Sequence, residues 1–332
     1  MTRGRFAPSP TGRMHLGNVF CALLSWLSAK SKGGEWILRI EDLDPQRSRR
    51  EYALQLMDDL QWLGLPWDGE PVWQSQRGHI YEEYLHRLQE MGLTYPCYCT
   101  RADIMATQAP HETDGRVVYK GTCRPKYRDA ACSGEGVDNS LNVQRSTFNV
   151  TPATTRLIVP DCTIPFTDGH YGRHDINLAE HCGDYIIRRK DGAWAYQLAV
   201  VVDDALMGVT EIVRGRDLLL SSPQQIHLRE LLFGERKTEN GFAHPSTVNL
   251  QRSTLTFLHH PLLCNAEGQR LCKRDKSMDL GYLRGKGTTP QEIIGLLAYY
   301  AGLIEQAYSA NPEELLTLFS WNKVPTEDII TL

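Results

Sequence analysis

Three short segments of the chain combine residue types that could bind an anion, an amino group or a metal. The first, "GRFAPSPTGRMHLGN", runs from Gly4 to Asn18, and its prolines and glycines connect a short apolar run to a helix-like segment. A strand–loop–helix connection presents backbone N–H groups and a helix N-terminus, which are suited to an anion. The same pattern also occurs as a turn without a ligand, so the segment alone leaves both interpretations open.

The second segment, "EWILRIEDLD", alternates apolar residues with Ile37, Arg39 and Glu41 and ends in carboxylates. Period-two alternation predicts a strand. Ligands of open α/β sheets lie outside the carboxyl ends of the strands. Glu41 is therefore predicted to lie at a ligand-binding edge.

The third segment contains Cys97 and Cys99, followed by Tyr119 and Cys123. Three thiolates in this arrangement suit tetrahedral Zn²⁺, and such a metal would stabilise a segment with few apolar residues. Reduced cysteines can also be small buried hydrophobic residues, so the spacing alone does not decide. Further candidates for the fourth ligand are Cys132 and His111.

The elements that must position these residues alternate between strand and helix. The N-terminal part is predicted as strand, helix, strand, helix, helix, which is typical of parallel βαβ winding. From about residue 94 to residue 182 the cysteines cluster and the sequence includes a loop-like segment of low hydrophobicity. We therefore interpret this part as an insertion. The segments "DYIIRR", "WAYQLAVVVDDAL" and "GVTEIVRG" predict that the sheet resumes, and helices dominate beyond Gly234. Two of those helices carry capping signals, at Thr289 and at Asn311.

Composition places the chain among ordinary globular proteins. It has 332 residues, a net charge of −4, 41% hydrophobic and 23% charged residues. No run of about 18 uncharged apolar residues predicts a membrane span, and the N-terminus lacks the apolar core of a signal peptide. We therefore expect a cytoplasmic protein whose nine cysteines are reduced. No heptad pattern argues for assembly, so a monomer is expected.

The motifs together resemble one family. "RFAPSPTGRMHLGN" resembles the signature of glutamyl-type class I aminoacyl-tRNA synthetases, with "HLGN" in the place of their HIGH motif, and "RIEDLD" follows as in that family. Residues 194–228 are similar to the second half of its Rossmann-type fold, and "GQRLCKRDKSMDLGYLRGKG" is similar to its KMSKS-loop region. The loop aligns at 270–274 or at 273–277, and both registers contain Lys273. The similarity is interrupted at about 126–175.

The resemblance implies an α/β fold with a Rossmann-type parallel sheet, an inserted zinc-containing α+β subdomain and a helical C-terminal part. The implied boundaries are 1–93 and 183–234 for the two halves of the catalytic domain, 94–182 for the insertion, and 235–332 for the KMSKS-loop and stem-contact region. Within the insertion, residues 126–161 carry no assignment beyond loop and short strands.

The resemblance also implies the site residues. The catalytic residues would be His15 and Lys273, which would bind ATP together with Gly17 and Asn18. Glutamate would be bound by arginines, a carboxylate, a phenol and the first loop, namely Arg5, Phe6, Ala7, Pro8, Ser9, Glu41, Tyr196 and Arg214. Mg²⁺ would accompany ATP, and the structural zinc would be held in the family's order by Cys97, Cys99, Tyr119 and Cys123.

The length of the chain resembles that of the short members of the family. The sequence contains no segment for the helical domain with which discriminating glutamyl-tRNA synthetases read the anticodon. The short members attach glutamate to queuosine at the wobble position of tRNA(Asp), and this transfer is the expected function. Two alternatives are a truncated glutamyl-tRNA synthetase that charges an acceptor end and a non-catalytic relic that binds nucleotide or RNA.

Overall fold

The structure is a computed structural model that describes residues 1–106, 118–125, 152–234, 255–271 and 279–331. Its central sheet has seven strands in the order β3-β2-β1-β9-β10-β6-β7, and every neighbouring pair is parallel except the β6–β7 hairpin. In chain order these strands are β1 (Arg3–Phe6), β2 (Glu35–Ile40), β3 (Val72–Trp73), β6 (Thr163–Asp168), β7 (Gly172–Asn177), β9 (Glu211–Gly215) and β10 (Thr256–His260).

The described residues also form two smaller sheets. A three-stranded antiparallel sheet consists of β4 (Thr94–Cys97), β5 (Thr154–Leu157) and β8 (Ile186–Arg188). A two-stranded parallel pair joins β11 (Leu263–Cys264) to β12 (Ile329–Ile330).

Ten α-helices are found in the described residues. In the first half of the chain they are α1 (Leu16–Lys30), α2 (Arg50–Trp62), α3 (Gly78–Glu90), α4 (Arg101–Ala106) and α5 (Leu178–His181). The later ones are α6 (Tyr196–Leu206), α7 (Ser222–Phe233), α8 (Leu280–Gly285), α9 (Pro290–Tyr300) and α10 (Pro312–Leu315). None of the helices in these ranges is long and apolar enough to cross a lipid bilayer.

Helix α1 is buried on nearly all sides. It contacts β1, β2 and β9 as well as helices α9 and α10. Most residues of the helix are apolar and buried in these contacts. Such all-round apolarity is typical of a helix inside a core rather than on a surface. The helix therefore holds the β1–α1 connection rigidly against the sheet.

The predicted capping signals are confirmed. Thr289 accepts a hydrogen bond from the backbone N–H of Glu292, whose side chain accepts one from Thr289 in return, and Pro290 is the first residue of α9. Asn311 and Glu314 form the same reciprocal cap at α10.

The parallel α/β architecture is confirmed, but four strands have partners that the sequence did not predict. Strand β8, within "DYIIRR", was expected to resume the parallel sheet and instead pairs with β5 in the antiparallel sheet. The β6–β7 hairpin, from the predicted insertion, extends the central sheet through β10, which itself lies beyond Gly234 where helices were expected. Short strands carry little sequence information about distant partners, which explains these differences. The domain boundaries stay a proposal.

Candidate active site

A cavity of about 450 Å³ opens where strands β1, β2 and β9 end and helix α1 begins. We call it the central cavity. Among its lining residues are all the predicted glutamate- and ATP-binding residues within the described ranges: Arg5, Phe6, Ala7, Pro8, Ser9, His15, Gly17, Asn18, Glu41, Tyr196 and Arg214. Lys273 lies outside the described residues, so its position stays a prediction. The structure thus brings together residues from three separate segments of the chain.

His15 caps the first helix of the fold. Its Nδ1 accepts a hydrogen bond from the backbone N–H of Gly17 at 3.1 Å, and the side chain of Asn18 accepts one from the backbone N–H of His15. Because Nδ1 is an acceptor here, a neutral ring carries its proton on Nε2. A side chain at residue 17 would lie 3.0 Å from the His15 ring. Gly17, which the resemblance places at the ATP site, therefore also makes room for the imidazole.

Arg214 is buried and held by a chain of hydrogen bonds. Its Nε donates to Nε2 of His259 at 3.0 Å, while its two terminal nitrogens donate to Gln225 at 2.7 Å and to Ser222 at 2.8 Å. On the other side of the imidazole, Nδ1 lies 2.6 Å from Oδ2 of Asp168. Since the carboxylate accepts the Nδ1 proton, Nε2 is left as the acceptor that the guanidinium needs. Asp168 and His259 therefore set the orientation of Arg214.

A second buried network lies beneath Arg5 and Glu41. Arg39 is fully buried and donates to Asp204 at 2.6 Å and to Glu41 at 3.1 Å. Arg5 donates to the backbone carbonyl of Val213 at 3.1 Å, and its Nε lies 3.5 Å from Asp204. Buried charges are tolerated when they are paired, and here Asp204 is shared between two guanidinium groups.

These networks shift the protonation equilibria of the site. Burial raises the pKa of Glu41, and Arg39 and Arg5 oppose that shift only in part. Burial would likewise raise the pKa of Asp204, but Arg39 and Arg5 hold it below its usual value. Burial lowers the pKa of Arg214, although a guanidinium remains charged at physiological pH.

The charges around the cavity favour an anionic ligand. Among the described residues its lining has four arginines, of which Arg13 and Arg270 belong to no predicted contact, and two acidic residues, Glu41 and Asp217. Arg270 forms an ion pair with Asp217 and is the first residue of one of the two predicted loop registers. A cationic cleft of this kind attracts phosphates and carboxylates.

Several residues of the site were not predicted from the sequence. Arg39 was placed in a strand without a role at the site, and it is fully buried and bonded to Asp204. The two adjacent acids at the end of "VVVDD" could have indicated a buried basic partner, because carboxylates that follow an apolar helical run need to be paired. For His259 and Asp168 the sequence offered no signal, because they come from distant strands.

The predicted metal-ligating residues form one cluster, which we call the cysteine cluster. The sulfur atoms of Cys97, Cys99 and Cys123 lie within 4.8 Å of one another. The Tyr119 hydroxyl lies 3.4 Å from Sγ of Cys97 and 3.7 Å from Sγ of Cys99. The Arg156 guanidinium lies 3.8 Å from the centroid of the Tyr119 ring, and burial raises the pKa of the Tyr119 hydroxyl.

The donor set of this cluster fits a metal. Three sulfurs and one oxygen at these separations match a tetrahedral ion that prefers thiolates. Burial works against ionisation of Cys123, but hydrogen bonds from the Tyr98 backbone and from Tyr119 lower the pKa of its thiol to about 7. A thiolate is thus available near neutral pH. The alternative ligands Cys132 and His111 lie outside the described residues.

Comparison with known proteins places the chain in a family. The family described as the catalytic domain of class I tRNA synthetases for E and Q matches residues 1–306. The chain is 42% identical to a glutamyl-Q tRNA(Asp) synthetase of Symbiobacterium thermophilum, over 99% of this chain and 95% of that protein. It belongs to the glutamyl-Q tRNA(Asp) synthetase family of class I tRNA synthetases. The family and enzyme class predicted from the motifs are therefore confirmed.

Other relatives agree with this assignment. A glutamyl-Q tRNA(Asp) synthetase of Nitratidesulfovibrio vulgaris is 41% identical over 100% of this chain and 96% of its own length. A glutamate tRNA ligase from Elizabethkingia meningosepticum, solved in complex with its amino acid, superposes with a TM-score of 0.73 at 27% identity. That comparison covers 97% of this chain but 65% of the ligase, so the chain spans about two thirds of its length.

Proposed function

We propose that the chain activates L-glutamate with ATP and transfers it to queuosine at the wobble position of tRNA(Asp). The observation that carries this proposal is the convergence of Arg5, Glu41, Tyr196 and Arg214 on one cavity beside the N-terminus of α1. The names of the relatives, which match almost the full chain, support the same function. The substrates, ATP and tRNA, suggest a cytoplasmic location.

In the activation step, the α-carboxylate of glutamate would attack the α-phosphorus of ATP. A carboxylate–phosphorus bond forms, the bond to the β-phosphate breaks, and pyrophosphate leaves. The nucleophile is already ionised, so no general base is needed and catalysis can rest on alignment and charge neutralisation. The N-terminus of α1, His15 and the predicted Lys273 would neutralise the phosphates, together with the Mg²⁺ that enters with ATP.

Glutamate would be recognised by charge. Arg214 and Arg5 are planar donors suited to carboxylates, and their supports keep both side chains in place. Glu41 would accept a hydrogen bond from the substrate ammonium group, and Tyr196 would add a hydroxyl. Ala7 and Ser9 would contribute backbone and hydroxyl contacts from the first loop.

In the transfer step, a hydroxyl oxygen of the queuosine cyclopentenediol would attack the glutamyl carbonyl carbon. A carbon–oxygen ester bond forms, the bond to the phosphate breaks, and AMP leaves with the electron pair. The hydroxyl proton would pass to the departing phosphate or to water.

The cysteine cluster would hold a structural Zn²⁺. Its ligands would be Cys97, Cys99, Tyr119 and Cys123, whose donor atoms lie close enough together to coordinate one ion. The ion would fix the connection between β4 and the segment that carries Tyr119.

The test combines two assays on purified protein. We expect glutamate-dependent ATP–pyrophosphate exchange without tRNA, and labelling by radioactive glutamate of tRNA(Asp) that contains queuosine but not of tRNA(Asp) that contains guanosine. The pH lability of the product would locate the bond on the diol. Exchange that requires tRNA(Glu) would favour the acceptor-charging alternative, and no exchange under any condition would favour the relic.

A further inference from the structure

A second cavity adjoins the central one. This side cavity has a volume of about 500 Å³, and it shares Ser9, Thr11, Glu41 and Tyr196 with the central cavity. A molecule in the side cavity would therefore lie next to a ligand of the central cavity, because both would contact the shared residues. The function proposed above requires such an arrangement, because the transfer step brings a second substrate to the glutamyl carbonyl.

The side cavity has an aromatic side chain in its wall. Trp194 is half-buried and lines the cavity, and the Arg188 guanidinium lies 3.9 Å from the centroid of its ring. Tyr81 meets the same ring edge-on at 5.8 Å, and an ion pair with Glu82 holds Arg188 in place. Because its neighbours fix the indole and Arg188 covers one of its faces, the opposite face is a preset surface on which a planar group could stack with little ordering cost.

The rest of the lining of the side cavity includes acidic and basic side chains and a polar atom without a hydrogen-bond partner among the described residues. The carboxylate of Asp44 lies 3.3 Å from the Arg189 guanidinium, and both residues line the cavity. Arg47 stands at the exposed rim. Oγ of Ser48 is buried and has no hydrogen-bond partner among the described residues, which leaves a polar group available to a ligand.

We infer that the side cavity binds the unstacked wobble nucleoside during transfer. Its base would stack on Trp194, as bases removed from an RNA loop stack on aromatic or arginine planes. The protonated amine that links the cyclopentenediol to the base suits the Asp44 carboxylate, and Arg47 at the rim suits a backbone phosphate. The diol would then lie beside Ser9 and Tyr196, at the boundary with the central cavity. This inference rests on the proposed function.

The experiment separates the two reaction steps. Glutamate-dependent ATP–pyrophosphate exchange without tRNA reports activation, and glutamate transfer to queuosine-containing tRNA(Asp) reports the second step. We expect Trp194→Ala to lower kcat/KM for the tRNA by about tenfold or more while exchange stays within about twofold, because base–aromatic stacking contributes on that scale. Trp194→Phe should restore most of the transfer. Tyr299→Ala, which removes an exposed aromatic ring outside both cavities, is the matched control and should leave both steps unchanged.

A second variant guards against loss of the fold. Arg47→Glu changes an exposed side chain, and we expect it to raise KM for the tRNA several-fold, whereas Arg173→Glu, an exposed arginine outside both cavities, should not. Equal losses of exchange and transfer in Trp194→Ala, or normal transfer in both test variants, would overturn the inference while the proposed function stands. A wild-type protein that exchanges but never labels queuosine would remove the proposed function and this inference together.

Discussion

The central cavity and the cysteine cluster are held together by different forces. The cavity lies on the carboxyl ends of central strands, and buried ion pairs such as Arg39–Asp204 connect its side chains to the core. The cysteine cluster lies in a small hydrophobic core whose buried residues are Tyr95, Cys97 and Tyr119. We infer that the cavity is ordered by the fold, whereas the cluster depends on its ligand. Substitutions should therefore affect activity at the first and stability at the second.

The largest effect is expected at Arg214. We expect Arg214→Ala to lower kcat/KM for glutamate in pyrophosphate exchange by roughly 30-fold or more, because removing one partner of a buried charged contact costs about 2–5 kcal/mol. Arg216→Ala is the matched control, since that arginine is 46% exposed and pairs with Asp328 at the surface. Similar losses in the two variants would contradict the role given to Arg214.

The cysteine cluster should show the opposite behaviour. We expect Cys99→Ser to reduce bound zinc from one ion per chain to almost none and to lower the midpoint of thermal unfolding by roughly 3 °C, the shift for a loss of about 2 kcal/mol in a chain of 332 residues. Metal analysis and calorimetry measure both. Cys162→Ser, a half-buried cysteine outside the cluster, should change neither. Full zinc content in Cys99→Ser would refute the ligand set.

The candidate residues of the central cavity could be predicted from the sequence, whereas the residues that hold them in place could not. Arg5, His15, Glu41 and Arg214 could be named as candidates because each lies in a contiguous motif that resembles the family's, and all four line the central cavity. Their supports were missed because they are tertiary pairs: Asp204 reaches Arg39 across 165 positions. Local patterns predict an element, and the choice of partner depends on packing that no local pattern records. Strand β8 illustrates the same point, because its existence was predicted and its sheet was not.

The support of Arg214 predicts a smaller, selective effect. We expect Asp168→Asn to raise KM for glutamate by up to about tenfold with little change in kcat, because an amide no longer fixes the His259 tautomer and one hydrogen bond to the guanidinium weakens. Asp175→Asn, a change in the neighbouring strand β7 at an exposed carboxylate, is the control. If Asp168→Asn lowered the unfolding midpoint without altering KM, Asp168 would be structural only.

The smallest effect concerns the pH dependence of activation. Glu41 must be ionised to accept a hydrogen bond from the ammonium group of glutamate, and burial raises its pKa above the ordinary value of 4.5. The kcat/KM for glutamate reports the free enzyme, so it should fall as the pH decreases, beginning above pH 4.5, with a loss of a few-fold over the first pH unit.

Burial lowers the pKa of His259 from 6.5, so protonation of that ring could add a second acid limb below pH 6.5. Glu41→Gln separates the two, because it removes the carboxylate and leaves His259 intact. We expect this variant to be less active at neutral pH and to lose the Glu41 limb, and an unchanged acid limb would contradict the role given to Glu41.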